Sequence, residues 1–224
     1  MALFGLSNTA FNLGNGKTTT FLTNFRSTRM IQSTSLSHTA GFYARAWPPS
    51  LVLGGYDLTR LDASSTLEID TQDLTQSVSQ YQLKVNVTGM TIKHNPLADI
   101  PVPIKASLTM DIDPVTPQIW LLEGACNSLE EVFRLEWNKT SRFYFMNVST
   151  HEWLLQENPN IKFSMSSSRS KSVKNYTLSY ASTFALNLTY PLVDTPTYYF
   201  PLKRSKNMFG GAFFFSRSAY LYRL

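Results

Sequence analysis

The sequence predicts an all-β fold, and three observations carry that expectation. Apolar and polar residues alternate with period 2 in several runs, the pattern of strands with one buried face. Ser and Thr number 48 of 224 residues and stand beside 15 Phe and 11 Tyr, a composition rich in strand formers. Helical patterns are few and short. Hydrophobic residues at 43% suffice for a substantial core, and charged residues at 16%, below the roughly 25% of an average chain, argue against disorder. The length fits one large domain or one domain with an attachment, and is too short for two full-sized lobes.

Along the chain, Thr18–Ser27 predicts a first helix. Leu51–Leu53 is a short strand ahead of Gly54-Gly55, and Thr66–Ile69 is another. Tyr81, Leu83, Val85 and Val87 alternate with Gln82, Lys84, Asn86 and Thr88, and Ala106, Leu108, Met110 and Ile112 alternate with Lys105, Ser107, Thr109 and Asp111. Leu129–Leu135 predicts a second helix, with Ser128 and Glu131 in a capping-box arrangement. A strand at Phe143–Asn147 precedes a third helix at His151–Gln156, ended by Asn158-Pro159, and a strand at Ile161–Met165. The Ser-rich, basic stretch Ser164–Ser172 suits an exposed hairpin or loop. Phe184, Leu186, Leu188 and Tyr190 alternate again, and Ala219–Tyr222 is the last strand. No internal repeat is present.

No apolar run approaches the ~18 residues of a membrane helix, so no membrane span is expected. Met1–Gly16 lacks a basic segment, a sustained apolar core and a small-residue cleavage site, so it does not read as a signal peptide. The net charge of +5 is unevenly spread: residues 1–138 carry 9 Lys/Arg against 12 Asp/Glu, and residues 139–224 carry 11 against 3. These basic residues are scattered (Arg169, Lys171, Lys174; Lys203, Arg204, Lys206), with neither a helix stripe nor the Gly-aromatic pattern of an RNA-binding sheet. A solvated basic face and no nucleic-acid partner are expected.

Cys126 is the one cysteine, which excludes an internal disulfide and a Cys-based metal cluster; a small buried thiol is expected. His38, His94 and His151 are far apart, and none has a His partner at i+2 or i+4. No metal and no cofactor is expected. Five Asn-x-Ser/Thr sequons occur, at Asn86, Asn138, Asn147, Asn175 and Asn187, four of them between 138 and 187.

Periodicity selects no activity, but several segments resemble a known family. Ser50-Leu51-Val52-Leu53-Gly54-Gly55-Tyr56-Asp57 resembles the strand and Gly-Gly turn at which pepsin-like aspartic peptidases pass from the N-terminal to the C-terminal lobe. Upstream, Leu3-Phe4-Gly5-Leu6, Phe21-Leu22, Met30-Ile31-Gln32 and Gly41-Phe42-Tyr43 look like the last part of the N-terminal lobe. Ile112-Asp113-Pro114-Val115-Thr116-Pro117-Gln118-Ile119-Trp120-Leu121 is similar to the second active-site strand and turn, especially in fungal secreted members. Glu123-Gly124-Ala125-Cys126, Tyr198-Tyr199-Phe200-Pro201-Leu202 and Phe214-Phe215-Ser216-Arg217-Ser218-Ala219-Tyr220-Leu221 continue in family order.

The resemblance implies a pepsin-like acid protease fold, with residues 1–50 as a remnant of the N-terminal lobe and 51–224 as the C-terminal lobe. It implies aspartic-type endopeptidase chemistry on peptide or protein substrates, an extracellular location and glycosylation. That chemistry needs two carboxylates sharing one proton, because two like charges a few ångströms apart do not both ionise cheaply. Asp113 matches the second catalytic Asp, and Thr116 the hydroxyl that orients it. There is no Asp-Thr-Gly or Asp-Ser-Gly in the sequence, and no match to the first Asp motif or the flap. Pro114 and Val115 stand where the family usually has Thr or Ser and then Gly. The expectation is therefore an aspartic-type endopeptidase that is inactive as this chain. Three alternatives stay open: a non-catalytic peptide-binding pseudopeptidase, a symmetric dimer pairing two copies of Asp113, and an incomplete version of a longer peptidase. An exposed cleft surface through which copies self-associate is a further expectation.

Overall fold

The computed structural model of the chain describes residues 19–39, 50–60, 67, 83–94, 98–104, 108–112, 118–167, 172–188, 193–205, 212–214 and 219–222. Among these, the strands are β1 (Leu36–Thr39), β2 (Ser50–Leu53), β3 (Leu83–Lys93), β4 (Ile100–Pro101), β5 (Leu108–Ile112), β6 (Ile119–Leu122), β7 (Glu136–Asn138) and β8 (Phe143–Met146). They continue with β9 (Asn160–Ser166), β10 (Lys174–Ser179), β11 (Leu186–Leu188), β12 (Thr197–Phe200), β13 (Leu202–Ser205), β14 (Ala212–Phe214) and β15 (Ala219–Tyr222). The α-helices are α1 (Phe21–Ser27), α2 (Glu123–Phe133) and α3 (Val148–Glu157).

The chain divides into two compact units, Met1–Ala63 with Ser216–Leu224, and Ser64–Phe215. In the first unit, α1 begins at Phe21 rather than Thr18 because Thr20 is extended and its Oγ1 accepts from the Thr23 N–H at 3.1 Å, capping the helix. An antiparallel sheet in the order β15-β1-β2 joins the last strand of the chain to two early ones, with His38 between Tyr220 and Leu51.

The second unit is built on a larger sheet in the order β10-β9-β3-β5-β14, with β4 also pairing β3. β14 runs parallel to β5, and the other pairs are antiparallel. β9 alternates without fault: Ile161, Phe163 and Met165 are buried, while Asn160, Lys162, Ser164 and Ser166 face the other way. β3 extends five residues beyond the alternation read from the sequence. Val85 and Val87 point inward, then a bulge between Val87 and Gly89 inserts one residue, so the inward set resumes at Met90 and Ile92. A second sheet runs β11-β12-β8-β7, and β6 and β13 form a parallel pair. The core joins these strands through Met110, Ile119, Leu121, Tyr144 and Phe200 to Ala125, Leu129 and Phe133 of α2 and Leu154 of α3.

Three expectations need correction. The second helix runs Glu123–Phe133, so Ser128 is not its cap: Ser128 sits mid-helix and its Oγ donates to the Gly124 carbonyl at 3.3 Å. The burial of Ala125, Cys126, Leu129 and Phe133, about one turn apart, fixes the helix, which stops where Arg134 turns left-handed at φ 52°. The third helix starts earlier, at Val148, because Asn147 Oδ1 accepts from the Thr150 N–H at 2.7 Å, and it ends as expected at Asn158, which is also left-handed. Phe184 does not open a strand. It closes a five-residue π turn, Tyr180–Phe184, capped by Ser179, Leu186–Leu188 pairs as a strand, and Tyr190 lies outside the described residues. Of the stretch Ser164–Ser172, read as an exposed hairpin or loop, residues 168–171 lie outside the described residues; on either side of them β9 and β10 pair antiparallel, with Met165 opposite Lys174. The strand expected at Thr66–Ile69 lies outside the described residues except for Leu67.

Candidate functional site

Asp113 and Thr116 lie outside the described residues, as does the whole segment 113–117. The strands on either side of it are described. β5 ends at Ile112, between β3 and β14 in the large sheet. The chain resumes in β6, which is fixed by the Ile119 N–H donating to the Pro201 carbonyl at 2.7 Å and by its parallel pairing with β13. Ile119 and Leu121 are buried in the core, and Trp120, between them, is half-buried on the other side of the strand.

From β6 the chain enters α2, which carries one side of a polar network that sequence reading missed. The Tyr144 hydroxyl donates to Glu130 Oε1 at 2.5 Å and accepts from Arg204 Nε at 2.8 Å. Arg204 also reaches Glu130 Oε1 at 2.5 Å, Glu123 Oε1 at 3.3 Å and Asn127 Oδ1 at 3.4 Å. Burial raises the Tyr144 pKa, and its hydrogen bond to Glu130 adds to the rise. Burial alone would lower the Arg204 pKa, but its hydrogen bonds to Tyr144 and Glu130 outweigh this, so it is raised and the guanidinium stays charged. The network ties α2, β8 and β13 together. It holds a fixed cation between carboxylates and a phenol, an arrangement for bracing rather than for proton transfer.

Cys126 is fully buried, its thiol directed at the Leu121 and Lys203 carbonyls at 3.5 and 3.7 Å. Burial pushes the thiol pKa up to about 12, which leaves almost no thiolate near neutrality. Native chain at pH 8 should therefore resist iodoacetamide, while urea-unfolded chain labels fully; rapid labelling of the native chain would contradict this placement.

Not all of the basic C-terminal residues are solvated. Lys139 and Arg142 are exposed, whereas Lys203 is half-buried, donates to the Arg142 carbonyl and sits 3.7 Å from the Phe143 ring centre. Its pKa is lowered by burial and then by the Arg142 charge. His94 stands edge-on to Trp153 with Nε2 3.4 Å from a Glu157 oxygen, and His151 is buried beside Tyr180 and Tyr198. Among the described residues, no group of three or more His, Cys, Asp or Glu side chains gathers where one cation would sit. No described helix is long and apolar enough to cross a membrane.

The sequons differ in placement. Asn86 is half-buried in β3, its Oδ1 accepting from Thr109 at 3.2 Å. Asn138, Asn147, Asn175 and Asn187 are exposed. Asn138 Oδ1 accepts from the Thr140 and Ser141 N–H groups in the β7–β8 turn, at 3.0 and 2.9 Å.

No family model matches the chain, and no curated protein matches it. Among solved structures, the chain is similar to the crystal structure of an aspartic proteinase from Irpex lacteus, with a TM-score of 0.52 over 88% of this chain and 54% of that one. The fold is all-β and pepsin-like. At 11% identity, this likeness carries the fold and nothing about the reaction. The chain spans about half the length of that proteinase.

Proposed function

We propose that the chain belongs with the fungal secreted branch of aspartic endopeptidases and does not hydrolyse peptide bonds by itself. Residues 51–224 act as the C-terminal lobe and residues 1–50 as the end of the N-terminal lobe. The observation that supports this reading is the end of β5 at Ile112, the residue before Asp113 in the sequence, inside the largest described sheet of a pepsin-like fold.

In this reading Asp113 is the remnant of the second catalytic carboxylate, and Thr116 supplies the hydroxyl that orients it. Catalysis by such a pair needs a proton held between two carboxylates, so that one side activates water while the other protonates the substrate carbonyl. One Asp has no partner with which to share that proton. Pro114 offers neither a hydroxyl nor a backbone N–H to hold the turn. The natural setting is extracellular, with glycans on the exposed sequons.

The test is cleavage of a denatured protein between pH 3 and 5 by the purified chain and by Asp113→Asn. Neither should cleave. Steady cleavage abolished by Asp113→Asn would overturn the reading, and cleavage unaffected by that change would mark contamination.

A further inference from the structure

Away from residues 113–117, one buried titratable side chain joins three elements. His151 on α3 is 8% exposed. Its Nδ1 lies 2.7 Å from the hydroxyl of Tyr180, the first residue of the π turn. Its ring stacks on Tyr198 of β12 with centroids 3.8 Å apart and an interplanar angle of 11°. The Tyr180 hydroxyl also lies 3.6 Å from Met146 Sδ on β8. The groups facing His151 are the phenols of Tyr180 and Tyr198 and the charge of Glu152, its neighbour on α3. Met146 neither gives nor takes a proton.

A phenol hydroxyl carries one proton, and a thioether accepts only weakly. With imidazole neutral, the stronger arrangement has Tyr180 donating to an unprotonated Nδ1. With Nδ1 protonated, both groups would point hydrogens at each other across 2.7 Å unless the hydroxyl turns away. We propose that His151, Tyr180 and Met146 form a proton-operated switch: protonation of His151 reverses the His151–Tyr180 hydrogen bond and turns the Tyr180 hydroxyl onto the Met146 sulfur. The added proton comes from solvent and stays on Nδ1; Tyr180 keeps its own, and only hydrogen bonds change. The joint of α3 with the π turn and β8 is thus bonded in both states: the O–H···N bond of the neutral pair becomes an N–H···O bond in acid, with a weak O–H···S bond to Met146 added.

The direction of the pH effect follows from burial, which lowers the His151 pKa below its ordinary 6.5, although the Glu152 charge opposes it. The unfolded chain therefore takes up the proton first. The stability His151 contributes is fully present above about pH 6.5 and is lost as pH falls toward the lower folded value.

The test is an NMR titration of the His151 imidazole in the full chain, in Tyr180→Phe and in Met146→Leu. Imidazolium loses more than neutral imidazole when the phenol oxygen is removed, because a charge-assisted bond is roughly twice as strong as a neutral one. The switch therefore predicts that Tyr180→Phe lowers the protonation constant by roughly threefold to tenfold. Met146→Leu, nearly isosteric, should lower it by less, since it leaves the turned hydroxyl without an acceptor. If Tyr180 were a fixed donor, its removal would deprive only the neutral ring and the titration would move upward, while Met146→Leu would leave it in place. A titration unmoved or shifted upward in either folded variant overturns the switch.

Discussion

Replacing Tyr144 with alanine should lower the stability of the larger unit by roughly 4–5 kcal/mol, whereas phenylalanine should cost only about 1–2 kcal/mol. The Tyr144 ring is fully buried on β8, 4.7 Å from the Trp137 ring, in the cluster that also holds Phe133 and Phe200. Alanine leaves a cavity that the surrounding strands do not collapse to fill. Phenylalanine keeps the volume and removes only the hydroxyl. Glu130 and Arg204 remain joined to each other at 2.5 Å, so neither charge is stranded and the loss stays near that of one hydrogen bond. Urea unfolding of the three proteins measures the two costs. Equal losses would place the energy in the hydroxyl and contradict the packing account.

How far the sequence reveals this fold depends on how local each cause is. β9 is legible because nothing interrupts its alternation from Asn160 to Ser166. β3 is legible only up to its bulge, because one inserted residue at Val87/Gly89 shifts the phase and makes Met90 and Ile92 look unrelated to Val85 and Val87. A local coincidence hides the start of the second helix: Ser128 and Glu131 stand at capping-box spacing inside a helix that begins at Glu123, while its true cap, Leu122, has no side-chain oxygen to announce it. The site divides in the same way. Asp113 is visible through resemblance, because the residues around it form one contiguous run. The Tyr144–Glu130–Arg204 network and the His151–Tyr180 pair are not visible, because their members lie 14, 60, 74 and 29 residues apart and meet only once separate elements pack. No spacing rule connects residues joined solely by tertiary structure.

The Gly-Gly turn after β2 offers the opposite case, a local feature that predicts its own mutant. Gly54 adopts φ +79°, a left-handed conformation that costs an ordinary residue about 1–2 kcal/mol. A Cβ placed there would meet Ile31 Cβ at 2.7 Å, closer than two carbons pack, and overpacking of this kind costs about 1–3 kcal/mol. The turn has little room to move aside. The Gly54 N–H donates to the Ser35 carbonyl at 2.8 Å, and the Gly54 carbonyl accepts from Ser33 Oγ at 3.0 Å. Gly54→Ala should therefore destabilise the smaller unit by roughly 2–5 kcal/mol, the sum of the two effects. Gly55, next in the chain, meets nothing within 4 Å of an added Cβ and has no positive φ, so Gly55→Ala should change stability by no more than about 0.5 kcal/mol. Amide exchange at Leu36–Thr39, in the sheet that follows the 31–35 segment, reports the difference: Gly54→Ala should lose protection there while Gly55→Ala keeps it. Equal protection in the two variants would mean that the turn yields freely and that neither the left-handed backbone nor the Ile31 contact constrains it.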